Sequence, residues 1–378
     1  MKPPFLFLFI VILIFSVVNF YIISRGWQLL EAIGKYRWIY LTATVLMAMC
    51  FLAGMILKRG FDSAVADTFW CVGSWWLLVL LYGSIAALSF DLLRLILLIF
   101  GKKLSFIFVN YAQIKLLLFA VFGLILLVLA SVGYYNGTQP KVNLLDIVVH
   151  KNVEGKKELN IVSVSDMHLG AIYSTSDLRK WVTKINELKP DIVFLVGDTF
   201  DDNPAPVIRK NLGQLFQQIE APLGVYIVSG NHEGYGNLKL SMDYLAQHGV
   251  QPLLDSTVLI DNRFYVVGRL DRSLKNRKSI EELTDSLDKN LPIIVLDHQP
   301  YEWNKSVESG ADIHLSGHTH RGQLYPFSLI TKNMYECDWG YLRKAQTHFY
   351  TSCGIGAWGA PARIGSRSEI VQLKVRFE

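Results

Sequence analysis

Four stretches of the chain, 4–23, 38–57, 69–90 and 116–135, are almost continuously apolar. Each approaches or exceeds the ~20 residues that a helix needs to cross a hydrocarbon core. No turn chemistry breaks them, and lipid cannot satisfy open backbone groups, so the pattern predicts four membrane-spanning helices. The first run lacks a small-residue cleavage site before Arg25 and reads as an anchor rather than a removable leader. Residues 91–100 continue the third run, with Asp91 and Arg94 at the spacing of a helix-surface ion pair, ahead of Lys102 and Lys103.

After Tyr135 the pattern changes. Asn136 to Pro140 (NGTQP) reads as a short linker, and the chain then alternates short apolar runs with polar, helix-periodic ones. Strands are predicted at 159–166, 191–198, 224–231, 292–298, 312–318 and 348–354, with a further one near the end at EIVQLKV. Helices are predicted at 176–188, 207–219 and 238–248, with Thr175 or Ser176 and Asn203 near N-cap positions. The segment TVLIDNRFYVVG predicts a hairpin about Asn262.

Composition agrees with this division. A mean hydropathy of +0.29 and 51% hydrophobic residues over 378 positions are too apolar for an ordinary soluble chain. Lys and Arg beside the spans set the orientation. Arg25, Lys35, Arg37, Lys102, Lys103 and Lys115 fall in the first and third connections, against Lys2, Lys58, Arg59 and Lys141 on the other side. That bias places the first and third connections in the cytoplasm and the C-terminal half outside it, in a multi-pass protein of the cell (inner) membrane. The net charge of +5 comes from scattered residues, and no nucleic-acid partner is expected. Cys50 and Cys71 lie in apolar runs, whereas Cys337 and Cys353 are the pair available for a disulfide in an oxidising compartment.

Polar residues of metal-binding type stand at the C-terminal ends of successive predicted strands, where open α/β sheets gather ligands. They are Asp166 and His168 in SDMHLG, Asp198 and Asp201 in GDTFDD, Asn231 and His232 in GNHE, His298 in DHQP, and His318 and His320 in GHTHRGQ. Alternate positions of an extended segment would let His318 and His320 point one way. Oxygen and imidazole donors without thiolates suit Mn, Fe or Zn, and a carboxylate can bridge two ions. Two cations ~3.5–4 Å apart acidify a shared water and neutralise charge about a phosphorus centre. Asp297 and His314 read as strand or surface residues, Asp202 as a solvated neighbour of Asp201, and His150, His248 and His348 lie outside every motif. Gly197, Gly230 and Gly317 read as backbone requirements of strand-end turns.

With these motifs, residues 141–378 resemble the calcineurin-like metallophosphoesterases, in particular a bacterial, membrane-associated branch to which the ending TSCGIGAWGAPARIG is also similar. The resemblance implies an α/β fold, a four-layer α/β/β/α sandwich, here preceded by a four-helix transmembrane region at 1–136. It implies that Asp166, His168 and His320 bind one divalent ion, that Asn231, His298 and His318 bind a second, and that Asp198 bridges them. His232 would face the leaving group, oriented by Asp201, and a metal-bridging hydroxide would attack the phosphorus of a phosphomono- or phosphodiester. Resemblance to lipid A precursor hydrolases points to a lipid-borne ester or a nucleotide-sugar pyrophosphate, with membrane lipids as the other partner. Arg321 stands where that branch commonly has Gly, and with Arg363 it is a candidate for an anionic headgroup. The competing reading is a membrane protein whose metal domain binds without turnover.

Overall fold

The computed structural model describes residues 5–60, 62–100 and 111–378; Lys2, Pro4, Lys102 and Lys103, used above, lie outside them. Two compact units are present. One runs to Val132 and includes Gly359–Pro361, and the other comprises Gly133–Trp358 and Ala362–Glu378.

The helices α1 (Phe5–Leu29), α2 (Arg37–Gly60), α3 (Ala64–Ile99) and α4 (Tyr111–Thr138), of which α4 ends in the second unit, are each long and apolar enough to cross a membrane. Glycines bring α2 and α3 close: a Cβ at Gly73 would strike the backbone of Phe51, and one at Gly54 would strike that of Trp70. Several polar groups on these helices find partners on a neighbouring helix. Trp76 Nε1 donates to Asn19 Oδ1 at 2.8 Å, and Asp91 accepts from Tyr21 Oη and Arg25, each at 2.6 Å. Asp91 is therefore tied to α1 rather than to Arg94, because a partner on a neighbouring helix also removes that helix's charge from apolar surroundings.

The helix α4 extends past the expected boundary, with Asn136, Gly137 and Thr138 in its last turn instead of in a linker. β1 (Lys141–Val149) follows after two residues, and then β2 (Glu158–Val164), α5 (Thr175–Glu187), β3 (Ile192–Val196), α6 (Ala205–Arg209), α7 (Gly213–Phe216) and β4 (Val225–Val228). The chain continues through α8 (Asn231–Tyr235), α9 (Leu238–Ala246), β5 (Val250–Pro252), β6 (Ser256–Ile260), β7 (Phe264–Gly268), α10 (Ile280–Thr284) and β8 (Ile293–Leu296). The remaining elements are α11 (Trp303–Glu308), β9 (Ile313–Ser316), α12 (Phe327–Met334), β10 (Gly340–Lys344), β11 (Thr347–Thr351) and β12 (Glu369–Phe377).

Two six-stranded mixed sheets result, in the orders β1-β12-β2-β3-β4-β5 and β10-β11-β9-β8-β7-β6. The alternation of side chains builds the layers. Ile192, Phe194 and Val196 of β3 enter a core shared with Ile294 and Leu296 of β8 and with Ile313 and Leu315 of β9. Val193 and Leu195 face the other way, onto Leu178, Trp181 and Ile185 of α5. Ile293 and Val295 of β8 pack outward with Leu283 of α10. Buried on both faces, these strands read as unbroken apolar runs in the sequence.

Several local features differ from expectation for identifiable reasons. The cap of α5 is Ser174, in a capping box with Asp177, one residue before the expected position. The single helix expected over 207–219 is broken into α6 and α7, because Asn211 takes a left-handed conformation with φ 50°. β1, β5 and β10 had no prediction. The hairpin about Asn262 pairs β6 with β7, and all four cysteines are free thiols.

Replacing Phe194 by Ala empties the space between the sheets and is expected to cost about 3–5 kcal/mol. Thermal unfolding of the detergent-solubilised variant should show a lowered or lost transition for the second unit; an unchanged midpoint would contradict the packing.

Candidate metal centre

The parallel strands of both sheets end at one place. Asp166 follows β2 by two residues, as Asp198 follows β3, His298 follows β8 and His318 follows β9; Asn231 follows β4 by three. The turns that deliver them are strained. Asp166, His168, Asp198, His318 and His320 all have positive φ, between 45° and 72°, a region that non-glycine residues seldom occupy. Neighbouring strand ends are also laced together, with Asp166 N–H donating to Gly197 O and His168 N–H to Asp198 O, both at 3.0 Å.

Three donors meet on one side. His320 Nε2 lies 3.0 Å from His168 Nε2 and 3.3 Å from Asp166 Oδ1, and His168 Nε2 lies 4.0 Å from the same oxygen. Ligands bonded to one ion at ~2.0–2.1 Å in a tetrahedron stand about 3.3 Å apart, so these spacings suit a shared cation. On the other side, His298 Nε2 stands 3.0 Å from Asp198 Oδ2, with a His318 ring nitrogen close enough to complete a second cluster. Asn231 Oδ1 is buried with no hydrogen-bond partner among the described residues. An orphaned carbonyl oxygen is costly unless it has a ligand to meet. His318 and His320 join different clusters, and each has a positive φ rather than lying in an extended segment.

Electrostatics match the donor roles of three imidazoles, whereas for His298 the effect of burial is outweighed by Asp198, which raises it. Burial holds His168 and His320 well below the usual imidazole range and lowers His318 to about 4, so all three keep a free lone pair at neutral pH. Burial alone would raise Asp198, but His298 and His232 outweigh it and hold the carboxylate ionised. For His232 the balance goes the other way. Burial lowers it, while Asp198, Asp202 and Asp201 together raise it to about 9.

His232 belongs to the rim of both clusters. Its ring is edge-on to His168 at 4.6 Å, and Tyr235 and Trp358 each stand 5.9 Å away. Its Nδ1 is 2.6 Å from Asp202 Oδ1 and 3.7 Å from Asp201 Oδ1, so Asp202 is no mere solvated neighbour of Asp201 but the nearer carboxylate.

Supporting residues explain the motif glycines. A Cβ at Gly230 would land on the Asp198 carboxylate, and one at Gly197, where φ is 77°, would press into the His298 ring. Sequence reading missed Glu233. It is fully buried and accepts from the backbone N–H groups of Gly230 (2.7 Å), Phe200 (2.9 Å) and Asp198 (3.0 Å), pinning two ligand loops together. The acidic residue three positions past the glycine in GNHE was the available signal. Arg363 is also corrected. It is fully buried, donating to Gly356 O at 2.9 Å and standing 3.1 Å from His320 Nδ1, and so is not a rim group. Arg321 stacks 4.1 Å over the Trp339 ring. Asp297 is held by Arg269 and Arg277, and His314 bonds Ser306 in the core, so neither joins the centre.

Comparison with known proteins agrees with this centre. Residues 159–322 match the family model described as calcineurin-like phosphoesterase. An uncharacterized metallophosphoesterase of Campylobacter jejuni is 31% identical over 98% of this chain and 98% of its own length. A Bos taurus transmembrane protein with metallophosphoesterase domain is 32% identical over 65% of this chain and 60% of that one. An uncharacterized metallophosphoesterase of Aquifex aeolicus is 34% identical over 58% of this chain and 85% of its own. A chain matched from end to end at this identity, with clustered His and Asp donors at its strand ends, belongs to the calcineurin-like metallophosphoesterase family.

Proposed function

We propose that residues 1–136 anchor the chain in a membrane and that residues 141–378 hydrolyse a phosphate ester with two divalent ions, of Mn, Fe or Zn type. Asp166, His168 and His320 would hold one ion and Asn231, His298 and His318 the other, with the Asp198 carboxylate between them. Such ions supply an acidified water and charge neutralisation at phosphorus. Every other role falls to the chain itself. Asp198 is kept ionised, Glu233 fixes its loop, and Arg363 braces His320 by donating to its backbone oxygen at 3.3 Å.

His232 is the observation that carries the catalytic reading. Its ring also falls within reach of His168 and Asp198, but its Nδ1 is turned to two carboxylates, Asp202 and Asp201, which favour its protonated form. A site that only bound metal would have no use for a protonated imidazole at its rim. There it can donate a proton from Nε2 to the departing alkoxide, while Asp202 and Asp201 keep Nδ1 oriented. Anchoring places this chemistry next to lipid-borne esters, and a lipid phosphate or nucleotide-sugar pyrophosphate is the substrate class that fits.

Chelation should abolish hydrolysis of a chromogenic phosphodiester, and added Mn should restore it in the wild type but not in Asp198→Asn or His318→Ala. Undiminished turnover in both variants would overturn the site. For His232→Ala, loss should depend on the leaving group: about 10²–10⁴-fold for an alkyl ester, far less for a nitrophenyl ester that departs without a proton. Equal losses on the two esters would remove His232 from the proton-transfer role. Side of the membrane is read by C-terminal fusions. The Lys and Arg bias predicts an active periplasmic alkaline phosphatase reporter and a dark cytoplasmic fluorescent one, and the reverse pattern would place the centre in the cytoplasm.

A further inference from the structure

α12 buries none of its residues. Leu329 and Ile330 are each 54% exposed and Met334 59%, alongside exposed Tyr325, Phe327 and Trp339. So many large apolar groups on a single turn-and-helix segment do not belong in water. The segment is nonetheless well tied to the metal centre. Gly322, two residues past His320, packs against the backbone of Phe327 and Ser328, and Thr319 Oγ1 donates to Asp338 O. Thr331 Oγ1 donates to Asp338 Oδ2 at 2.6 Å, closing the loop that follows the helix.

The same unit contains the end of α4, and hydrogen bonds lead from there to the root of α12. Arg363 N–H donates to Gly133 O at 2.9 Å, inside the candidate span Ala112–Thr138. Ile364 forms a bridge with Leu324, and Tyr325 N–H donates to Ile364 O at 2.7 Å. Two such backbone steps of ~4.8 Å put Tyr325, two residues before the helix, on the order of 10 Å from Gly133 near the end of the candidate span. Aromatic residues at Tyr325 and Trp339, with Lys332 on the helix, suit the boundary between headgroups and acyl chains.

From this continuity we infer that α12 lies in the membrane interface, its apolar side chains among the lipids, and that it sets the mouth of the metal centre at headgroup level. The inference requires α4 to cross the bilayer, and its consequence for substrate rests on the phosphoesterase reading above. The occupant of the surface is the bilayer itself, and the ester delivered to the site is one carried on a lipid. Arg321, stacked on Trp339 just after the ligand His320, then stands where an anionic headgroup would arrive.

The test uses the full chain in phosphatidylcholine–phosphatidylglycerol vesicles, with an environment-sensitive fluorescent amino acid at Ile330 and, as a control, at exposed Thr183 on α5. At Ile330 the emission should shift to the blue and be quenched by lipids with a nitroxide near the headgroup, and at Thr183 neither should happen. Water-like emission at Ile330 would overturn the inference. So would a blue shift without lipid quenching, which would mean a second chain or a soluble protein covers the helix. A variant combining Leu329→Asp and Ile330→Asp should lose about tenfold or more of its turnover on a vesicle-borne phosphate ester while keeping that on a water-soluble one. Equal loss on both would show that α12 serves only the local fold, against the inference. Should the wild type cleave neither ester, the catalytic reading fails, and the fluorescence still decides the placement of α12.

Discussion

The mouth of the sandwich is organised about one carboxylate, that of Asp198. It comes from β3 in the first sheet, and at 3.0 Å it meets His298, which comes from β8 in the second. The backbone of His232 donates to its other oxygen at 2.8 Å, and Glu233 takes its own amide proton. Around an ionised group so deeply buried, every neighbour is constrained. Gly230 must lack a Cβ, His298 must be turned by Val196 O, and the adjoining loops must adopt left-handed turns to bring donors inward. The strain in those turns is the kind that a fold retains when a site requires it.

Much of this was legible in the sequence because strands buried on both faces leave a simple trace. The runs at 192–196 and 293–296 are apolar throughout, and Asp198 and His298, each two residues beyond, lie at the centre. Harder to read were contributions that depend on distance across the fold. Besides the nearby amide of Gly230, Glu233 satisfies those of Asp198 and Phe200, 35 and 33 positions away. Arg363 arrives from near the C terminus to brace His320, and charge alone made it look like a surface group. Asp202 reaches His232 more closely than the buried Asp201 does, from a turn with φ 57°. Short or edge strands such as β5 and β10 have too little periodicity to be seen at all.

The apolar half of the chain was the more transparent, since length and hydropathy alone define four candidate spans. What they do not reveal is how polar groups inside them are satisfied. Asp91 finds Arg25 and Tyr21 some 70 positions away, and Asn19 finds Trp76. Continuity of α4 with the start of the second unit is also a structural finding, because NGT reads as a loop and yet completes a helix. That continuity leaves only Gln139 and Pro140 between the last candidate span and the first strand.

The central claim is that two cations sit between these strand ends, one in each cluster. Anomalous diffraction at the metal edge, from crystals of the full chain grown with Mn or Zn, tests it most directly. The account predicts two peaks, one within bonding distance of Asp166, His168 and His320, the other of Asn231, His298 and His318, with Asp198 touching both. A single peak, or peaks bound elsewhere with these imidazoles left uncoordinated, would contradict it.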